Sequence, residues 1–250
     1  MAFLLAHALY KGSLFLSAGS IEQCAGTRQL GEMGGLLRFV PVTFVAVALA
    51  CASLAGIPPL FGFIVKEMVY AFHLGGSTSW LLLCVTILTN AVFVAFAGLL
   101  VIKPFFGRLT AMREMPCREK TWLYLCPLVL AVLGLVWGVF PESIDTYLLA
   151  PAAGSILQKP IQVELALWHG LTPALLLSII TVAVGVLFYR YFAFFARCLA
   201  ALKPFFYYGP EQVFHRTLGL LNPWSAQITR TLQTGRLKDY VAWVFFFSLF

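Results

Sequence analysis

Long apolar runs, separated by short charged or turn-rich stretches, organise this chain. A helix needs about 20 apolar residues to cross a hydrocarbon core of ~30 Å. Runs of that order occupy about residues 2–19, 40–74, 79–102, 122–140 and 167–195, and a sixth begins near Tyr240 and continues to Phe250. From Val241 onward the sixth has ten residues, which at ~1.5 Å each reach about half way through such a core. The pattern predicts an all-α polytopic transmembrane bundle of about five spans plus a truncated sixth. Met1 is followed at once by apolar residues, with no basic leader and no small-residue cleavage site, and His7 and Lys11 interrupt the first run. It therefore reads as a span and not as a signal peptide, and the abrupt start and half-length last run lead to the expectation of a piece of a larger membrane protein.

The second run is too long for one crossing. Its 35 residues would extend about 50 Å as a straight helix, and Gly56-Ile57-Pro58-Pro59 interrupts it. Two prolines remove two backbone donors and clash with the preceding turn, so carbonyls near 53–55 are expected to lose their helical partners. Unpaired backbone at membrane depth is tolerated only inside protein or along a hydrated cavity. Lys66 and Glu67 follow within two turns or so, and discontinuous helices with ionisable neighbours are a common way of building ion sites in transporters. A plain proline kink with both charges paired to other helices is the alternative.

Composition agrees with the runs. At 61% hydrophobic and 11% charged, against about 45–50% and about 25% in ordinary globular chains, and with a mean hydropathy of +0.90, the sequence excludes a soluble enzyme and a disordered tail. Of the 17 basic residues, 14 fall in connections on alternate sides of the spans, around 28–38, 103–120 and 190–238. The positive-inside rule assigns those to the cytoplasm, with 197–239, which contains Pro204, Pro210 and Pro223, as an amphipathic connection. The opposite connection, 141–166, holds Lys159 against Glu142, Asp145 and Glu164. The net charge of +7 is thus a topology signal, and no nucleic-acid-binding pattern accompanies it.

The six cysteines form no CxxC or Cys/His cluster and read as reduced apolar residues, with no metal site. No nucleotide, flavin or acyl-transfer motif is present, so no cofactor is expected and the chain reads as a transporter rather than a classical enzyme.

His7, Lys11, Lys66 and Glu67 are the ionisable residues well inside the runs. A charge at such depth costs at least ~2.5 kcal/mol and usually faces a protein interior or a water path. His7 and Lys11, four apart, share a helix face, with Ser13 and Ser17 on the same helix. They can pass a proton through bridging water, or Lys11 can pair with an acid elsewhere while His7 packs. His73 lies near the outer mouth, as an exit group or an interfacial histidine. His169, beside Trp168, is a candidate with an anchoring role as its alternative. Thr86, Thr89 and Asn90 either line a path or bond helix to helix.

The segment His7-Ala-Leu-Tyr-Lys11-Gly-Ser-Leu-Phe-Leu-Ser-Ala-Gly-Ser20, followed by Ser53-Leu-Ala-Gly-Ile-Pro-Pro-Leu-Phe-Gly-Phe-Ile-Val-Lys-Glu67, resembles the antiporter-like subunits shared by respiratory complex I and the multisubunit Mrp-type sodium/proton antiporters. Gly26-Thr-Arg28, Gly34-Gly-Leu-Leu-Arg-Phe-Val-Pro-Val-Thr43, Leu167-Trp-His-Gly170 and Gln233-Thr-Gly-Arg-Leu-Lys238 are similar to the large Mrp-type subunit in particular. The resemblance implies a channel core of two inverted five-helix repeats. Residues 1–102 would be the last three helices of the second repeat, and 103–250 additional C-terminal spans with cytoplasmic basic loops. Lys66 would be the buried lysine of the broken helix, with Gly56, Pro58 and Pro59 forming the break and His7 and Lys11 the preceding relay. Glu67, His73 and His169 are secondary. Some members carry another histidine one turn before His7, where this chain has Phe3, which implies a shorter relay or one leaning on water. The implied function is proton translocation coupled to sodium or potassium exchange in the inner cell membrane. The implied partners are other membrane subunits, among them whatever supplies the first repeat. An antiporter-like subunit of a redox-driven complex or of an inorganic-carbon uptake system, and a structural fragment without transport of its own, are the alternatives.

Overall fold

A computed structural model describes residues 1–76, 79–107, 120–159, 165–168, 170–201, 209–232, 235 and 237–248. Every regular element among the described residues is helical, as the apolar runs predict. They form two units, Met1–Phe192 and Ala193–Phe250.

In the first unit, α1 (Ala2–Ala25) leads through a 3-10 turn (Leu36–Arg38) to α2 (Pro41–Ala55), α3 (Phe61–Gly75), α4 (Trp80–Phe106) and α5 (Thr121–Val139). Then come α6 (Pro141–Ile144), a π-helical turn (Asp145–Leu149), α7 (Ala150–Leu157) and α8 (Pro173–Arg190). The second unit holds most of α9 (Phe192–Ala201), then α10 (Pro210–Leu232) and α11 (Leu237–Ser248).

Local chemistry sets the ends. Pro41 stands at the start of α2, where its missing N–H would have had no partner. Gly26 closes α1 in the left-handed region at φ 68°, donating its N–H to Glu22 O. α1 therefore runs past the expected end near 19: Gly19 and Ser20 interrupt the hydropathy without interrupting the helix. α8 is shorter than the run 167–195, because the Thr172 hydroxyl accepts from Leu175 N at 3.2 Å and starts the helix at Pro173. The connection 141–166 contains α6, the π turn and α7. Ile144 of α6 and Leu149 of the π turn are buried in the core there, so tertiary burial supports these two turns, whereas α7 buries none of its residues.

α4, α5 and α8 are each long and apolar enough to cross a membrane, and α2 is a shorter apolar helix. Their outward faces stay apolar, with Leu81, Leu88, Phe96, Val129, Leu176 and Ile179 exposed, an extent that water does not accommodate on a monomer. The chain is a membrane protein. α1 lies against α2 and α5, α2 also against α4 and α5, α3 against α5 and α8, and α4 against α8.

Buried hydroxyls tie these helices together. Ser13 Oγ donates to Pro127 O of α5 at 2.8 Å, and Ser20 and Thr43 meet at 3.1 Å between α1 and α2. Ser13 and Ser17 are fully buried, so they belong to the inner face of α1, whereas His7 and Lys11 are half-buried at its border. Gly138 of α5 seats the connection between α2 and α3: a Cβ there would strike Pro59 O and lie 2.6 Å from the Leu60 carbonyl carbon. Cys24 is disulfide-bonded, which corrects the expectation of uniformly reduced cysteines. The nearest cysteine in sequence, Cys51, is free, as are Cys84, Cys126 and Cys198, so no local cysteine pair announces the bond.

Candidate functional site

The expected helix break is present, and several of its freed carbonyls find partners. α2 ends at Ala55, Gly56 takes the left-handed conformation at φ 66°, and α3 begins at Phe61. The Pro58–Pro59 peptide is cis. Of the carbonyls expected to lose partners, Ser53 O accepts from Gly56 N at 3.0 Å, and Ala52 O just before it accepts from Ile57 N at 2.9 Å. Gly62 presses so closely on Ser53 that a Cβ would collide with the Ser53 carbonyl oxygen, and its N–H donates to Ser53 Oγ at 3.3 Å.

Lys66 completes the cap of α2. Its Nζ donates to Ala55 O at 3.1 Å with the residue only 7% exposed. The side chain passes directly over Gly56, where a Cβ would lie 2.6 Å from Lys66 Cε. A cation at a helix C-terminus is favoured by the dipole and by the unpaired carbonyl it reaches. Gly56, Pro58 and Pro59 thus break the helix, and Gly56 also leaves the passage for the lysine.

Beside Lys66 is a cavity of about 390 Å³ between α1, α2, α3 and α4. Phe3, Ala6 and Tyr10 line it from α1, Ser53 from α2, Lys66 from α3, and Thr86, Thr89 and Asn90 from α4. The structure brings some of the sequence candidates to this space and not others. His7 reaches it through Tyr10, whose hydroxyl lies 3.0 Å from His7 Nδ1, so its nearest polar partner is Tyr10 rather than Lys11. Phe3 borders the cavity and stacks near His7 at 5.9 Å between centroids. Lys11 is half-buried one turn further along α1, and Glu67 is half-buried next to Lys66. His73 pairs through Nε2 with Thr86 Oγ1 at 3.2 Å, and its Nδ1 is buried without a partner. His169 lies outside the described residues.

Thr86, Thr89 and Asn90 all line the cavity; Thr86 and Asn90 also bond α4 to α3, whereas Thr89 donates to Val85 O within α4 itself. Tyr70 is the residue that sequence reasoning missed. Fully buried, it contacts Asn90 Nδ2 at 3.1 Å and Thr181 Oγ1 of α8 at 2.7 Å. The available signal was its position, four residues after Lys66 and three before His73, which puts all three on one face of α3.

Known proteins are similar to this chain along its length. Residues 1–93 match the family model described as "NADH:quinone oxidoreductase/Mrp antiporter, TM", and every residue lining the cavity lies within that span. The A1 subunit of a Na(+)/H(+) antiporter from Staphylococcus epidermidis is 30% identical over 210 residues, covering 79% of this chain and 26% of that protein. A Na(+)/H(+) antiporter subunit from Alkalihalophilus pseudofirmus is 28% identical over 268 residues, covering 98% and 32%. The Mrp complex structure from a Dietzia species superposes with a TM-score of 0.63 at 28% identity, over 98% of this chain and 26% of that one. Residues 1–93 match that family, and along its length the chain is similar to antiporter subunits of Mrp type. It spans about a quarter to a third of the length of these curated Mrp relatives, 26% and 32%. The family match takes in α1, α2, α3 and about half of α4, while α5 and α8, which pack against them, lie beyond it.

Proposed function

We propose that this chain forms part of the proton pathway of a multisubunit cation/proton antiporter in the inner cell membrane, with its basic loops cytoplasmic and other membrane subunits as partners. Lys66 is the proton carrier. A single observation carries this reading: a buried lysine is held at a broken helix, its amine 3.1 Å from the carbonyl of Ala55 and its flank open to a cavity. Such an amine has two stable partners, the helix end when charged and cavity water when neutral. His7 and Lys11 deliver protons on the α1 side, with Tyr10 between His7 and the cavity. The His73–Thr86 pair gives the exit. Glu67 tunes Lys66 through its charge. That the relatives are Na(+)/H(+) antiporter subunits favours ion exchange over the redox-driven alternative.

The test is exchange in everted membrane vesicles containing the full assembly. Lys66→Ala removes the carrier. Lys66→Arg keeps charge and length but does not release its proton in the physiological range. Both are expected to abolish cation-dependent proton movement with the complex still present. Wild-type exchange in an assembled Lys66→Ala variant overturns the assignment.

A further inference from the structure

Counting donors around the cavity assigns its α4 wall. Thr181 gives its single hydroxyl proton to Leu177 O at 2.6 Å, so at 2.7 Å it accepts the proton of Tyr70. Tyr70, its own proton committed, accepts from Asn90 Nδ2 at 3.1 Å. That orients the amide: nitrogen toward Tyr70, Oδ1 turned away from it. Thr86 and Thr89 give their protons to Leu82 O and Val85 O, each at 2.8 Å. Thr86 Oγ1 therefore accepts the Nε2–H of His73 and keeps a second lone pair, and Thr89 keeps both.

Residues 86, 89 and 90 share one face of α4 and line the same cavity. The side chains of this wall carry three neutral oxygens against one remaining N–H of Asn90. Hard cations take oxygen ligands and retained waters. A set without a carboxylate suits a singly charged ion, since it offers too little charge to strip the shell of a divalent one. Around the cavity the titratable groups are Lys66, His73, Tyr10 with His7 behind it, and Glu67 beside Lys66.

We propose that Thr86, Thr89 and Asn90 hold a partly hydrated monovalent cation in the Lys66 cavity, in competition with the proton on Lys66, and that Tyr70 is the positioning residue that aims the Asn90 carbonyl. The competition rests on the reading of Lys66 as proton carrier. Two unit charges ~7 Å apart at an effective dielectric of ~20 disfavour each other on the order of 50-fold. The cation therefore enters as Lys66 loses its proton and leaves as it regains one, which is exchange at one site. Through Tyr70 and Thr181 the site is also tied to α8, beyond the matched residues 1–93.

The test measures the half-saturating concentration for proton efflux from vesicles carrying the full assembly, with NaCl and KCl titrated separately. Thr89→Val is expected to raise that concentration about 10-fold for the transported ion. Thr89 is exposed, so this variant does not disturb the core. Thr89→Ser restores the wild-type value. Asn90→Asp, which adds a charge to the ligand set, lowers it, a gain that misfolding does not mimic. Tyr70→Phe raises it several-fold by releasing the amide, without removing any ligand. Unchanged values in both Thr89→Val and Asn90→Asp overturn the cation site, even where Lys66→Ala abolishes exchange. Altered values there with full exchange in Lys66→Ala retain the site and remove the competition with Lys66.

Discussion

Gly56→Ala isolates the seat of Lys66 without touching the lysine. The residue sits at φ 66°, where a side chain costs ~1–2 kcal/mol. The new Cβ would lie 2.6 Å from Lys66 Cε and 2.8 Å from both Cδ and Nζ. Carbon contacts settle near ~3.5 Å, so the flexible end of the lysine has to retreat by roughly 1 Å. The 3.1 Å bond to Ala55 O then opens to about 4 Å, outside hydrogen-bonding range. Losing a bond to a charged group costs about 1.5–3 kcal/mol, and a 1 Å misplacement of a reacting group can cost ~100-fold in rate. The complex should therefore still assemble, because the clash is relieved by a flexible side chain and the left-handed backbone adds only ~1–2 kcal/mol, while proton exchange in vesicles falls about 10- to 100-fold. Gly19→Ala is the control: its new methyl meets nothing within 4 Å, so both assembly and exchange should match wild type. Wild-type exchange in assembled Gly56→Ala refutes the seat of Lys66 as a determinant of transfer.

Gly138→Ala should behave in the opposite way, since its Cβ would strike backbone at Pro59 and Leu60 with no rotamer to relieve it. A cost above ~3 kcal/mol should appear as loss of the assembled subunit from membranes, and normal subunit levels refute it. Asp145 has one carboxylate oxygen buried without a partner, and burial raises its pKa. The folded state thus holds the proton more tightly than the unfolded one, and this group's contribution falls as pH rises through the carboxylate range. Asp145→Asn should raise the melting temperature in detergent at pH 7 by roughly 1–3 °C and leave it unchanged at acid pH; an equal shift at both refutes the assignment.

The helix break was legible because Gly-Ile-Pro-Pro forbids a continuous helix whatever surrounds it, and Lys66 was legible because a charge in an apolar run needs a reason. The reach of Lys66 back to Ala55 was not, since a four-carbon stem can point many ways and only the packed turn selects one. Tyr70 was hidden by its ring, which in an apolar helix looks like any packing aromatic until its hydroxyl is seen between Asn90 and Thr181. The His7–Lys11 spacing was correct as helix geometry, yet Tyr10 lay nearer to His7. α6 and the π turn escaped notice because they are anchored by burying Ile144 and Leu149. The disulfide at Cys24 was equally hidden, since its neighbour in cysteine order, Cys51, stays free and no local motif marks the bond.

The missing methyl of Gly138 makes α5 the door frame on which the α2–α3 connection is hung. Pro59 and Leu60 press against bare backbone there, so the connection has no slack toward α5. Any swing of α3 would have to pivot at this point or carry α5 with it. The part of the chain beyond the family match therefore fixes the fulcrum, and the matched part supplies the lever.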